Sequence, residues 1–304
     1  MGLLPGHLHI LAIEQGKRPC IDGDVLTLGE QAVYATLKEV HEIYRRHDLA
    51  LNELPDDFDT ANKIPAWKQT VYEKNTNAHA ALTLLGARRV YSVDVNDYEN
   101  PDFIFDLNDK VDNAFHERFD VVFDCGTLEH VFNVPEALKN ICRMLKPGGM
   151  VVLMNPASNA VDHGFYSFSP TLFYDFFQSN GFQEFSCYLM EVNNYNYLKK
   201  GRVFRYKQVG REYPLNLAQG MDVCFFAKKR KSLTEVEYNP PAQSVYPAYF
   251  WNKEKYREGL FKTTKMKELL KKIELTTSSF RPVWIDRLVK DRKRRAGLEY
   301  LGRF

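Results

Sequence analysis

Between residues 118 and 126 the chain reads RFDVVFDCG. Val121, Val122 and Phe123 follow one another without a polar break, and the run stops at Asp124. A strand with one wet face alternates apolar and polar residues, whereas a strand covered on both faces reads as a continuous apolar run. This stretch therefore demands layers on both sides of a parallel sheet. The neighbouring sequence supplies them. Strands are predicted over GDVLTLGEQ (23–31), RVYSVDVND (89–97), PDFIFDLND (101–109) and MVVLMNP (150–156). Helical spacing of apolar residues is found in AVYATLKEVHEIYRR (32–46), NAHAALTLLGA (77–87), VPEALKNICRMLKPGG (134–149) and SPTLFYDFFQSNGF (169–182). Ser169 is placed to cap the last of these, with Pro170 in its first turn. FSCYLMEV (185–192) and MDVCFFAKK (221–229) are predicted as an antiparallel pair at the sheet edge.

The pattern specifies an α/β protein: a Rossmann-like, doubly wound, mostly parallel sheet with an antiparallel edge. Residues 1–230 form this domain, interrupted by a polar insertion at about 47–75. Residues 231–304 form a Pro/Tyr-rich arm and a basic extension, with amphipathic helices predicted over 252–275 and 281–296.

Open α/β sheets bind ligands beyond the carboxyl ends of their strands. Gly29, Asp94 with Asp97, Asp106 and Asp124 stand at four successive strand exits. An acid ending the second strand accepts both hydroxyls of a ribose, and one after the third faces an adenine amino group.

FDVVFDCGTLEHVFNVPEALKNICRMLKPGGMVVLMNP resembles the class I S-adenosylmethionine-dependent methyltransferases in its LEHV and R-x-LKPGG blocks. LGARRVYSVDVNDYE is similar to the second-strand region of that family, and Asp106-Leu107-Asn108 to its third-strand exit. HGFYSFSP (163–170) is similar to the active-site mouth of a branch associated with bacterial glycan and secondary-metabolite modification. The resemblance spans roughly residues 85–230. It implies S-adenosylmethionine as cofactor, held by Gly29, Asp94, Asp106, Leu107, Asp124, Cys125 and Gly126. It implies methyl transfer, O-directed, to a small molecule or a sugar. The chain departs from the family at the first strand: G-x-G-x-G is absent, and LTLGEQ offers Gly29 alone. A catalytically degenerate scaffold of the same fold is the alternative that this departure favours. A nicotinamide enzyme would need G-x-G-x-x-G, which the chain also lacks.

A sulfonium methyl is already electrophilic, so proximity supplies much of the rate. A hydroxyl acceptor also needs a base within hydrogen-bond reach. His163 is the first candidate and His130 the second, both on loops at the cofactor end. No metal is expected: Asp124, Glu129, His130 and His163 can be collected on paper, but no HExxH or paired-His helix is present. Cys125 reads as a small buried thiol rather than a nucleophile. Tyr188, Tyr195, Tyr197, Tyr206 and Tyr213 either line an acceptor pocket or cover the sheet edge.

The five cysteines are scattered and form no CxxC, which points to a reduced, cytoplasmic protein. No apolar run approaches the roughly 18 residues of a membrane span, and the N-terminus lacks the basic region of a secretory signal. Residues 252–304 carry 16 Lys and Arg against 7 Asp and Glu, leaving 25 against 32 for the rest. The basic tail suits an anionic surface or partner, but the acidic body and the lack of a reading module argue against nucleic acid. PPAQSVYPAYFW either folds over the active site or packs as an arm on a partner chain, leaving room for a homo-oligomer.

Overall fold

The computed structural model describes residues 2–61, 74–192, 201–208, 219–230, 239–241, 243 and 298–304. A nine-stranded sheet organises them. In chain order its strands are β2 (Gly23–Leu28), β5 (Ala87–Asp94), β6 (Phe103–Ile104), β7 (Phe119–Cys125), β8 (Leu145–Ser158), β9 (Phe182–Val192), β10 (Arg202–Tyr206), β11 (Gly220–Lys229) and β12 (Leu298–Arg303). Their spatial order is β12-β10-β9-β11-β8-β7-β2-β5-β6. From β6 to β8 every pairing is parallel. Read from β6, this is the 3-2-1-4-5 order of a doubly wound sheet, with β7 as the fourth strand.

β11 does not lie at the edge. It is inserted between β8 and β9, antiparallel to both, so β9 regains the direction of β8. The expected edge pair is thus an interior one, consistent with the buried run Met221–Ala227. The outer edge is formed by β10 and β12. The final residues therefore return to the sheet as a strand; the helices predicted at 252–275 and 281–296 lie outside the described residues.

Two apolar layers cover the sheet, as the continuous run in β7 requires. Val121 and Phe123 face one layer, with Leu8 and Leu11 of α1 (Pro5–Lys17), Val40 and Tyr44 of α2 (Leu37–Arg45), and Leu82 and Leu85 of α3 (Ala78–Leu85). Val122 faces the other, with Leu138 and Ile141 of α4 (Val134–Met144) and Phe173, Phe176 and Phe177 of α5 (Pro170–Ser179). Each such fully buried side chain contributes about 1.5–3 kcal/mol of transfer free energy.

Several expected boundaries move. Residues 32–46 are not one helix: Ala32–Thr36 is strand β3, pairing with β1 (Gly2–Leu3) and β4 (Asn75–Asn77) in a small second sheet. The helix begins only where Thr36 and Glu39 exchange reciprocal capping bonds. α4 stops at Met144 rather than 149, and the chain passes directly into β8. The buried Lys229 ammonium takes up the last carbonyls there, donating to Cys142 O at 2.8 Å and Leu145 O at 2.6 Å. α1 has no counterpart in the sequence reading. Its apolar residues do not fall on one stripe, because eight of its thirteen residues are buried.

Candidate active site

The predicted lip is assembled at the carboxyl ends of β2, β5 and β7. Gly29 follows β2 with φ +76°, a left-handed conformation, and its N–H donates to Val93 O at 2.7 Å. A Cβ there would stand 2.8 Å from Thr127 Oγ1. Only glycine permits this approach of β2 to the turn after β7. The Thr127 hydroxyl donates to Leu28 O at 2.5 Å, and the Gln31 amide donates to both Leu28 O and Thr127 Oγ1. A single glycine, locked by Thr127 and Gln31, thus sets the close approach of β2 to the turn after β7. After Gly29 the chain enters β3, not a helix. A dinucleotide pyrophosphate needs a helix N-terminus at this point; S-adenosylmethionine has no phosphate to accommodate.

The other lip residues differ in what they offer. Asp94 is half-buried; its Oδ1 accepts from Val95 N at 2.7 Å, and its Oδ2 lies on the Gly29 side. Asp106 Oδ1 accepts from the backbone and side chain of Asn108. Asn108 in turn accepts from Asn133 N and fixes the start of α4. Leu107 is buried in the core layer of α4. Gly126 has φ +92° and lets the backbone turn sharply after β7. Asp124 is fully buried: Oδ1 accepts from Thr127 N at 3.0 Å and Oδ2 from the Asn155 amide at 2.6 Å. Its two oxygens brace the turn. Cys125 is also buried, facing the opposite layer, with Sγ 3.8 Å from His7 Nδ1. Beneath it His7 Nε2 lies 3.1 Å from Asp222 Oδ2, out of line for a hydrogen bond. Burial pushes the Cys125 thiol far up, so this triad-like row is a packed floor and not a nucleophile.

Glu129, which sequence reasoning collected only into a metal set it set aside, stands at the centre of the site. It sits in a single helical turn, Leu128–His130, and is fully buried. Its Oε2 accepts from the same Asn155 amide, at 3.1 Å, so one Asn155 bridges two carboxyls. Its Oε1 has no hydrogen-bond partner among the described residues. Toward that oxygen point His163 Nε2 at 3.6 Å and His130 Nε2 at 3.9 Å, with the two imidazole rings 5.2 Å apart, edge to face. Burial and the Asp124 charge push Glu129 up to about 8, and burial pushes Asp124 to about 6; two carboxyls this close in a dry site hold a proton between them. Burial and then the neighbouring His163 hold His130 below its ordinary value.

His163 reaches this point because its loop is stitched to the Glu129 turn. The amides of Phe165 and Tyr166 donate to Glu129 O at 2.8 and 3.2 Å. Gly164, at φ +111°, leaves room: a Cβ would be 2.9 Å from Glu129 O and 3.2 Å from His130 Nδ1. The rim carries exposed aromatics. Phe132 and Phe165 are about two-thirds exposed and meet edge to face at 5.7 Å, and the Tyr166 hydroxyl donates to Phe132 O. Of the tyrosines expected at an acceptor pocket or over the sheet edge, Tyr188 and Tyr206 are core residues, and Tyr195, Tyr197 and Tyr213 lie outside the described residues.

Residues 53–151, which run from the polar insertion through α3, β5, β6, β7 and α4 into β8, match the family model described as "Methyltransferase domain". The match covers about a third of the chain and places a methyltransferase domain in it. A methyltransferase domain of this kind takes its methyl group from S-adenosylmethionine. Solved structures similar to this methyltransferase include one from Thermotoga maritima described as a possible histamine N-methyltransferase (13% identity, 73% of this chain and 89% of that chain, TM-score 0.36). Another is the 1,6-didemethyltoxoflavin-N1-methyltransferase of Burkholderia thailandensis (13%, 74% and 78%, 0.34). A third is the branched-chain polyamine synthase of Thermus thermophilus (12%, 81% and 62%, 0.37). No curated protein sequence matches the chain. Among the described residues, no helix is long and apolar enough to cross a membrane.

Proposed function

We propose that this methyltransferase transfers the methyl group to a hydroxyl of a small molecule or glycan, with His163 accepting the hydroxyl proton. One observation carries the reading: a buried carboxylate oxygen, Glu129 Oε1, faces two imidazoles at the mouth of the strand exits. When bound, S-adenosylmethionine supplies a methyl on a positively charged sulfur, which a neutral amine attacks unaided but a hydroxyl attacks well only as it loses its proton. An imidazole backed by a buried carboxyl is the arrangement that takes that proton and stabilises the resulting imidazolium. His130 stands beside it at the rim, about half exposed.

Gly29, Asp94 and Gly126 hold the cofactor, and the Asp124–Asn155 brace fixes the turn that separates it from the base. Phe132, Phe165 and Tyr166 supply flat apolar faces at the rim, which suit the C–H face of a sugar ring or an aromatic acceptor. The basic tail suits an anionic partner or surface that brings the acceptor near.

The experiment is a transfer assay that follows S-adenosylhomocysteine release with two matched acceptor panels, one of sugars and phenols, one of primary and secondary amines. Turnover confined to the hydroxyl panel and lost in His163→Ala is expected. Turnover confined to amines, and insensitive to His163→Ala, would overturn the O-directed reading.

A further inference from the structure

We propose that Glu129, His130 and His163 form a binding site for a divalent first-row transition metal. The three ligand atoms lie within 4.8 Å of one another. Glu129 Oε1 is 3.6 Å from His163 Nε2 and 3.9 Å from His130 Nε2. Ligands about 2.0–2.1 Å from a tetrahedral ion stand roughly 3.4 Å apart, so the two Glu129 pairs need to contract by a few tenths of an ångström, and a rotation of the exposed His130 ring brings the two imidazole nitrogens, within 4.8 Å here, together. Two imidazoles and one carboxylate make a donor set that zinc and its neighbours take and magnesium does not.

Three further observations point to a ligand here. The Glu129 oxygen is fully buried and makes no hydrogen bond among the described residues, a costly state for a carboxylate unless a cation meets it. Its other oxygen is already oriented by the Asn155 amide, the outer support that ligating carboxylates usually have. The loop that delivers His163 is anchored on the Glu129 carbonyl through Phe165 and Tyr166, and Gly164 is needed for that approach. The absence of HExxH is no obstacle, because the ligands come from two loops and not from one helix. The exposed His130 and half-buried His163 leave the outer side of the site toward the aromatic rim, where an acceptor oxygen takes an open coordination position.

The chemistry deepens the O-methylation reading and rests on it for the acceptor. A hydroxyl on the metal loses its proton to solvent at neutral pH. The alkoxide oxygen forms the new O–C bond as the C–S bond breaks, its electron pair staying on sulfur. In the metal-loaded protein His163 is then a ligand; the metal acidifies the bound hydroxyl and solvent takes the proton in place of His163.

The test uses the full chain, stripped with a chelator and titrated with Co²⁺, Zn²⁺ or Mg²⁺. One equivalent of Co²⁺ with a visible d–d spectrum, displaced by Zn²⁺ and indifferent to Mg²⁺, is expected. His130→Ala, a change at an exposed side chain, abolishes the spectrum. Asn155→Leu weakens Co²⁺ binding by about 10–100-fold. Hydroxyl-acceptor turnover is expected to fall on stripping and to return with the metal. Absence of the Co²⁺ spectrum in the wild type, or its persistence in His130→Ala, overturns the site. Full turnover of the stripped protein that still depends on His163 overturns the metal's part and leaves proton acceptance by His163 standing. Co²⁺ binding without turnover on any hydroxyl keeps the site and removes the O-methylation reading.

Discussion

Two glutamates of this chain are equally buried and opposite in character. Glu14 lies in α1, about 1% exposed, and both its oxygens are taken: Arg18 donates to Oε1 at 2.8 Å, and the Tyr188 hydroxyl and Lys17 ammonium donate to Oε2 at 2.7 and 3.3 Å. Burial works against its charge, yet Tyr188, Lys17 and Arg18 outweigh it and hold the carboxyl below its ordinary value. Glu129 has one oxygen on Asn155 and the other facing two imidazoles, and it is driven the other way. A buried acid whose oxygens are all matched by donors ties elements together. A buried acid with an oxygen left over is held for something that arrives. Burial alone does not separate structure from function; the count of donors does.

The sharpest way to break this comparison is to change each glutamate in turn. Glu129→Gln keeps the shape and the Asn155 side of the network but removes the ionisable oxygen that faces His163 and His130. Turnover on the hydroxyl acceptor is expected to drop by about 100- to 10,000-fold, with the thermal midpoint little changed. An equal loss of turnover and of thermal midpoint would mean that Glu129 is another Glu14.

Glu14→Ala is the converse. It strands Arg18 and Tyr188 against the sheet, and removing one member of a buried charge network costs about 3–5 kcal/mol. Urea unfolding is expected to show that loss, while turnover per folded molecule stays at the wild-type value. A drop in turnover without destabilisation would join α1 to the active site and dissolve the contrast.

The same contrast explains what was legible in the sequence. The sheet was readable because its strands are covered on both faces, so RFDVVFDCG and MVVLMNP carry the fold in unbroken apolar runs. The exit positions followed from those strands, and Gly29, Asp94 and Gly126 stand where the lip is built. Asp124 and Cys125 were legible as positions but not as roles. Whether an acid faces a ligand or braces a turn depends on Asn155, 31 residues away in another strand. The Glu129 pocket was hidden for the same reason. Its partners His163 and Asn155 converge only through long-range packing, and Gly164 marks the convergence only once the Glu129 turn is known to lie against it. α1 was missed because periodicity reports a helix with one wet face, and this one is buried all round from Gly6 to Ala12.

A smaller effect is expected at the lip, where Gly29 is proposed to line the cofactor. Gly29→Ala forces an L-residue into φ +76° and drives its Cβ to 2.8 Å from Thr127 Oγ1. The left-handed conformation alone costs about 1–2 kcal/mol. Calorimetry is expected to show S-adenosylmethionine binding weakened about tenfold or more as the Thr127 and Gln31 locks shift. Unchanged binding would move the cofactor away from β2.

The mildest test is a pH titration of stability, and it isolates Glu14. Its carboxyl is depressed in the folded protein, so its contribution is fully present above the unfolded glutamate value of about 4.3 and is lost as the pH falls through the lower folded value. Wild type and Glu14→Gln are therefore expected to differ by a constant amount at neutral pH and to converge on the acid side of that window, as measured by urea midpoints at each pH. The Gln variant keeps the volume and one acceptor, so convergence reports the charge and not the packing. If the two curves stay parallel down to acid unfolding, the Arg18, Lys17 and Tyr188 bonds are worth the same to a neutral amide as to a carboxylate. The matched acid would then owe its role to shape, leaving Glu129 as the one glutamate of the pair whose ionisation matters.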